Sequence, residues 1–142
     1  MPVVSPTALD DPSPGPPPAA GGPAPSGRAL LVEDDRVHQL LAGMLLERAG
    51  WQLDVADDLA SARQLWQAGR HRLVLCDLNL PDGHGVEFAQ WLRSQPGGAQ
   101  VRLLAYSADL DDAERALAAG FERFYVKPMT LAEVQALAPA AG

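Results

Sequence analysis

The sequence predicts an α/β fold in which five helices cover both faces of a five-stranded parallel sheet. Short apolar segments typical of buried strands alternate with segments of helical periodicity, and glycine or proline residues separate them. Apolar strands that alternate with amphipathic helices indicate a parallel sheet buried on both faces. Because crossovers between parallel strands are right-handed, the helices divide between the two faces and the fold is doubly wound.

The predicted strands are mostly continuous apolar runs that end at a polar residue. An example is RLVLCD at 72–77, whereas WQLDVA at 51–56 alternates polar and apolar residues and fits an edge strand. The strand order that we expect is 2-1-3-4-5, which is flavodoxin-like. The predicted strands are residues 28–32, 51–56, 72–77, 100–107 and 123–126.

The first predicted helix follows the first strand and carries apolar residues at intervals of three and four. We expect this helix to end at Gly50 and to turn its apolar stripe toward the core. The stripe consists of Val37, Leu40, Leu41, Met44 and Leu45.

Two of the other helices have a predicted capping box at their start, formed by Asp111 with Glu114 and by Thr130 with Glu133. Between the third strand and the third helix, the segment LNLPDGHG at 78–85 is rich in turn-forming residues and is predicted as a loop. The four helices after the first are predicted over residues 58–69, 86–95, 112–119 and 131–138.

The ends of the chain differ in composition from its centre. Residues 1–27 hold nine of the 13 prolines and no basic residue. We expect this segment to be a disordered Pro/Gly/Ala-rich tail or linker, because it cannot bury enough apolar surface to offset its ordering entropy. One domain is predicted over residues 28–138, followed by a short C-terminal tail over 139–142.

Charge and cysteine content exclude several classes of protein. The chain has 18 acidic and 11 basic residues and a net charge of −7, so it lacks the excess of basic residues typical of direct nucleic-acid binding. No apolar run is long enough to span a membrane and no signal peptide is recognisable, so a cytoplasmic location is expected. The single cysteine, Cys76, excludes an intramolecular disulfide and is expected to be a buried strand residue.

Polar side chains follow four of the five predicted strands. In a doubly wound sheet, ligands bind outside the carboxyl ends of the strands. Strands one, three and four are neighbours in the expected order, so the side chains at their ends should converge. The polar residues at the strand ends are Glu33, Asp34 and Asp35 after strand one, Asp77 at the end of strand three, Ser107 at the end of strand four, and Lys127 after strand five.

This set of side chains suggests metal-assisted phosphoryl transfer. Three converging carboxylates repel one another and are expected to raise each other's pKa, and a hard cation such as Mg²⁺ removes that conflict. A lysine ammonium and a serine hydroxyl can hold phosphate oxygens, and a central carboxylate, Asp77, can act as the nucleophile. Taken singly, each residue also fits a plainer role as a helix cap, a turn former or a surface charge; their convergence at one edge favours a site.

Four motifs carry a resemblance to the receiver domain of two-component response regulators. They are LLVEDD at 30–35, LVLCDLNLPDGHG at 73–85, LLAYSA at 103–108 and FYVKP at 124–128. The resemblance covers about residues 28–138. It implies that Asp77 is the phosphoacceptor, and that Mg²⁺ is held by Asp34, Asp77 and the backbone carbonyl of Asn79, with Glu33 acting nearby through a water.

The resemblance also implies a conformational switch. The hydroxyl of Ser107 would move to the phosphoryl group, Lys127 would form a charge-assisted bond to it, and Phe124 would turn inward. A cis peptide bond is expected before Pro128. The implied partners are a sensor histidine kinase or a histidine phosphotransfer protein and a downstream protein target, with no direct nucleic-acid or membrane contact. The chain would be a signalling domain and not an enzyme, either monomeric or a phosphorylation-dependent dimer.

Two other functions remain open from the sequence. A pseudo-receiver would bind a partner without phosphorylation, although such domains usually lack an acidic or lysine position and none is lost here. A haloacid-dehalogenase-like phosphatase also uses an aspartate nucleophile, Mg²⁺, a serine or threonine, and a lysine. Its nucleophile leads the chain in an Asp-x-Asp motif, whereas here the paired acids come first and Asn79 follows Asp77 at that spacing.

Overall fold

A computed structural model describes residues 27–139 of the chain. The predicted N-terminal tail, apart from Gly27, and the last three residues of the predicted C-terminal tail lie outside the described residues. Within 27–139, no helix is both long and apolar enough to cross a membrane.

The central sheet has the predicted strands in the predicted order. Its neighbours all pair in parallel, in the order β2-β1-β3-β4-β5, so the doubly wound, flavodoxin-like fold is confirmed. The buried Cys76 lies in β3, as expected. The strands are β1 (Arg28–Val32), β2 (Gln52–Ala56), β3 (Leu73–Asp77), β4 (Arg102–Ser107) and β5 (Arg123–Val126).

Helices pack on both faces of this sheet, because the side chains of β1 are buried on both sides. Leu30 and Val32 point into a core shared with α2, α3 and α4, whereas Ala29 and Leu31 point into a core shared with α1 and α5. In the described part of the chain the helices are α1 (Arg36–Arg48), α2 (Leu59–Gly69), α3 (Gly85–Ser94), α4 (Ala113–Ala119) and α5 (Leu131–Gln135).

The start of α4 differs from the prediction. A 3₁₀ turn, Leu110–Asp112, precedes α4, and the side chain of the N-cap residue Asp112 makes no capping bond. The capping box predicted for Asp111 and Glu114 is therefore wrong, because Asp109 instead accepts a hydrogen bond from the N–H of Asp111. The second capping box is confirmed at the start of α5, which is shorter than the predicted 131–138.

The stripe on α1 faces the opposite way from the prediction. We call Val37, Leu40, Leu41 and Met44 the α1 stripe; these side chains are 52–62% exposed. The helix instead buries Ala42, Gly43 and Leu46. A β-carbon on Gly43 would lie only 3.1 Å from Leu53 Cδ2, so the small residues allow α1 to pack closely on the sheet. Leu45, at the edge of the predicted stripe, packs partly against the core.

The predicted loop at 78–85 contains a small antiparallel hairpin, Asn79–Leu80 with Gly83–His84. The carboxylate of Asp82 in its turn accepts hydrogen bonds from the N–H groups of Leu59 and Ala60, which ties the hairpin to the start of α2. A β-carbon at Gly85 would lie 2.7 Å from the backbone oxygen of Asp77, so a glycine is needed there. The hairpin thus holds the chain after Asp77 against the carboxyl end of the sheet.

Candidate functional site

The structure brings the predicted acidic residues together. Glu33 directly follows β1 and Asp77 ends β3, and these two strands are paired neighbours. Carboxylate oxygens of Glu33, Asp34 and Asp77 all lie within 4.8 Å of one another. Glu33 and Asp77 are buried, whereas Asp34 is exposed at the mouth of the cluster. The cluster is therefore open to solvent on one side.

Lys127 reaches this cluster from the far edge of the sheet. Its Nζ donates hydrogen bonds to Glu33 Oε1 at 2.8 Å and to Asp77 Oδ2 at 3.1 Å. The peptide bond between Lys127 and Pro128 is cis, as the resemblance implied. This residue is the only lysine in a chain that has ten arginines. A compact ammonium can contact both carboxylates in a confined space, whereas the planar fork of arginine is bulkier.

Ser107 ends the strand next to the one that carries Asp77, and Phe124 lies on the following strand, β5. Asp77 pairs in register with Tyr106, so Ser107 follows one residue beyond the carboxyl end of β3. The buried hydroxyl of Ser107 donates to Asp112 Oδ2 at 3.1 Å and accepts from the N–H of Asp109 at 3.1 Å. Phe124 is half-buried against the core on the α2, α3 and α4 face. Their roles in switching stay predictions.

The pKa values of the two buried acids, Asp77 and Glu33, shift in opposite directions. Burial, reinforced by the nearby charge of Glu33, raises the pKa of Asp77 despite its hydrogen bond with Lys127. Burial also opposes ionisation of Glu33, but hydrogen bonds from Lys127, Tyr106 and the Asp35 backbone outweigh it and lower its pKa. The predicted mutual rise in pKa therefore holds for Asp77 and is wrong for Glu33.

The comparisons with known proteins agree with this geometry. The sequence model for the response regulator receiver domain matches residues 29–138. The chain belongs to the response regulator receiver domain family. It is 32% identical over 105 residues to the probable transcriptional regulatory protein TcrX of Mycobacterium tuberculosis, covering 74% of this chain and 45% of TcrX. The chain spans less than half the length of the curated relatives it matches.

Two solved receiver structures are similar to the chain. The receiver domain of the sensor histidine kinase PA1611 from Pseudomonas aeruginosa is 29% identical, with a TM-score of 0.72 over 78% of this chain and 93% of that one, and that structure has a magnesium ion in its active-site cleft. The second match is a co-crystal structure of the Saccharomyces cerevisiae phosphotransfer protein Ypd1 with the Ssk1 receiver domain, at 25% identity and a TM-score of 0.68 over 79% of this chain and 86% of that one.

The donor set of this receiver domain fits a hard divalent cation. Three carboxylates supply only oxygen ligands, and within residues 27–139 Lys127 is the one basic group that donates a hydrogen bond to the buried pair. Such a surplus of negative oxygen donors suits Mg²⁺. Asn79, expected to contribute its backbone carbonyl, donates its backbone N–H to Asp77 Oδ1 at 3.3 Å. Coordination by its carbonyl stays a prediction.

Sequence reasoning missed two residues of this receiver site, His38 and Tyr106. His38 Nδ1 lies 3.1 Å from Lys127 Nζ and 3.6 Å from Glu33 Oε1. The Tyr106 hydroxyl donates to Glu33 Oε1 at 2.6 Å. Position offers a signal for each: His38 lies four residues after Asp34, and Tyr106 directly precedes Ser107 at the carboxyl end of its strand.

Proposed function

We propose that this chain is a phosphoacceptor receiver domain that accepts a phosphoryl group on Asp77 in the presence of Mg²⁺. The phosphoryl group would come from a phosphohistidine of a sensor histidine kinase or of a histidine phosphotransfer protein in the cytoplasm. The observation that carries the proposal is the contact of Lys127 with both Glu33 and Asp77, beside a cluster of three carboxylates. The chain would act as a signalling domain and not as an enzyme with a free substrate.

The transfer exchanges one bond for another. The bond between phosphorus and the phosphohistidine nitrogen breaks, and a bond forms between phosphorus and a carboxylate oxygen of Asp77. Lys127 then pairs with the phosphoryl oxygens that arrive at Asp77. Glu33, Asp34 and Asp77 would hold Mg²⁺, which neutralises charge on the phosphoryl oxygens when it is bound.

The switch that we propose begins at Ser107. In this structure its hydroxyl donates to Asp112, at the start of α4. A phosphoryl group on Asp77 adds about −1.5 to −2 charge at this edge of the sheet and offers strong hydrogen-bond acceptors. Ser107 would leave Asp112 to donate to the phosphoryl group, and Phe124 would turn into the space behind β4. The start of α4 and the β5 surface would then report phosphorylation to a downstream protein.

The phosphodonor protein would dock on the α1 stripe. A largely apolar groove of about 390 Å³ lies between α1 and the segment Lys127–Met129, so it runs directly beside the site. Leu41 belongs to both the stripe and the groove lining. An exposed apolar surface next to a reactive group is typical of a protein interaction site. The co-crystal structure of Ypd1 with the Ssk1 receiver supports a phosphotransfer protein as the occupant.

Substitution at Leu41 separates docking from chemistry. We expect Leu41→Glu to slow phosphoryl transfer from a phosphorylated histidine kinase by about tenfold or more, because an interface anchor is lost. Transfer from acetyl phosphate should be unchanged. Leu117→Glu is the matched control, since Leu117 is a similarly exposed leucine on α4. Equal loss with both donors would contradict docking on the stripe.

The proposed chemistry is tested by intact mass spectrometry after incubation with Mg²⁺ and acetyl phosphate. We expect a single phosphoryl adduct on the wild-type chain that is acid-stable and base-labile, and no adduct on Asp77→Asn. An adduct that persists in Asp77→Asn would show that a residue other than Asp77 accepts the phosphoryl group. A wild-type chain that binds Mg²⁺ but takes no phosphoryl group from acetyl phosphate or from phosphorylated kinases would favour the pseudo-receiver.

A further inference from the structure

Tyr106 is a buried residue of β4 that contacts two charged groups of the site. Its hydroxyl hydrogen-bonds to Glu33 Oε1 at 2.6 Å, and its ring centre lies 4.6 Å from Lys127 Nζ. Only 3% of the residue's surface is exposed. A phenylalanine would fill the same space, so the hydroxyl matters through its hydrogen bond and not through packing.

Glu33 is held at both of its carboxylate oxygens. Oε1 accepts from Tyr106 and, at 2.8 Å, from Lys127, while Oε2 accepts from the N–H of Asp35 at 3.0 Å. The side chain is fully buried. Without the Tyr106 hydroxyl, Lys127 would be the one hydrogen-bond donor left to Oε1 among the described residues. Lys127 would then be drawn more strongly to Glu33 and away from Asp77.

We propose that Tyr106 is a positioning residue for the magnesium and phosphoryl site. Its hydroxyl fixes the Glu33 carboxylate, and the face of its ring supports the Lys127 ammonium through a cation–π contact. Lys127 therefore remains available to Asp77. Groups that orient the ligands of a metal affect its affinity without touching it. The inference rests on the proposed function, but metal binding tests it without any phosphoryl transfer.

Magnesium titration by calorimetry provides the first test. We expect Tyr106→Phe to weaken Mg²⁺ binding by roughly tenfold, the lower end of what loss of an outer partner costs. The matched control is Tyr125→Phe, because Tyr125 is the buried register partner of Tyr106 on β5 and Glu33 accepts no hydrogen bond from it. Its affinity should stay within about twofold of wild type. Wild-type affinity in Tyr106→Phe would overturn the proposal.

A variant of Glu33 shows whether Tyr106 acts through that residue. In a Glu33→Gln background, the further change Tyr106→Phe should cause little additional loss of Mg²⁺ affinity, because residues that act as a unit are not additive. An independent, additive loss would overturn the proposal. A merely structural role would lower the free energy of unfolding in urea without changing either titration of the folded protein.

The single lysine supplies a spectroscopic test that needs no variant. Selective isotopic labelling of lysine gives side-chain NMR signals from Lys127 alone, because the chain has one lysine. With Nζ 4.6 Å from the Tyr106 ring centre, the ring current should move the chemical shifts of the nearby methylene protons away from those of a solvent-exposed lysine. An unshifted signal would overturn the contact. If wild type binds Mg²⁺ but is not phosphorylated, the proposed function fails while these measurements still decide the role of Tyr106.

Discussion

Two clusters of partly buried charge lie toward opposite ends of the same sheet, and they are built differently. At the carboxyl end, the acids Glu33, Asp34 and Asp77 lie together, and Lys127 pairs with Glu33 and Asp77. At the other end, Asp54 of β2 pairs with Arg28, the first residue of β1, and with the buried His71 just before β3. The first cluster has more acids than bases, whereas the second has one acid between two basic groups.

This difference is visible in the pKa of the acid at the centre of each cluster. Burial raises the pKa of Asp77, and one lysine does not reverse the effect. Burial also acts on Asp54, but hydrogen bonds from His71 and Arg28 outweigh it and lower its pKa. A balanced cluster stabilises the native state, while an unbalanced cluster of acids costs stability until a cation binds. We infer that the Asp54 cluster is structural and the Asp77 cluster is functional.

The largest expected effect on stability comes from breaking the balanced cluster. Asp54→Ala removes the acceptor of the buried His71, and we expect the free energy of unfolding to fall by about 2 kcal/mol. Partial exposure of Asp54 keeps the value moderate, because water can replace part of the lost contact. Urea unfolding measures the change. Magnesium affinity should not change; a loss of affinity would show that the clusters are coupled.

The matched substitution in the unbalanced cluster should act in the opposite direction. Asp34→Ala removes one of three neighbouring carboxylates, so we expect the metal-free protein to gain about 0.5 kcal/mol of stability. The same change should weaken Mg²⁺ binding by about tenfold or more, because a direct oxygen ligand is lost. Urea unfolding without Mg²⁺ and calorimetric titration measure the two effects. A metal-free variant less stable than wild type would contradict the contrast between the clusters.

Much of the unbalanced cluster could be predicted from the sequence, because strand ends are easy to locate. An apolar run that stops at Asp77 fixes both the strand and the edge of the sheet where its carboxylate lies. Once the strand order is expected, Glu33, Ser107 and Lys127 follow from the ends of their own strands. The link between sequence and position is local for each residue, so no knowledge of side-chain packing is needed.

The features that could not be predicted depend on packing between distant segments. Periodicity shows that α1 has an apolar stripe, but not that Ala42 and Gly43 allow a closer approach to the sheet from the other side. Likewise, the sequence places Tyr106 on β4 without indicating that its hydroxyl reaches Glu33, 73 positions away in the chain. The misplaced capping box at Asp111 shows that local patterns also fail when a neighbouring aspartate competes for the same backbone groups.

The smallest expected effect sharpens the comparison through pH. Burial lowers the pKa of His71 below 6.5, although the bond to Asp54 opposes the shift. The unfolded chain therefore binds this proton more readily than the native state. The contribution of His71 is fully present above about pH 6.5 and is lost as the pH falls toward its native pKa.

We expect wild-type stability to fall slightly more than that of His71→Gln between about pH 7.5 and about pH 5.5. Urea unfolding of both proteins at the two pH values isolates this histidine from His38 and His84. The raised pKa of Asp77 has the opposite sign, because its ionisation costs native stability above that pKa and the cost disappears as the pH falls through it. Equal pH dependence in wild type and His71→Gln would remove His71 from the balanced cluster and leave Arg28 as the partner that stabilises Asp54.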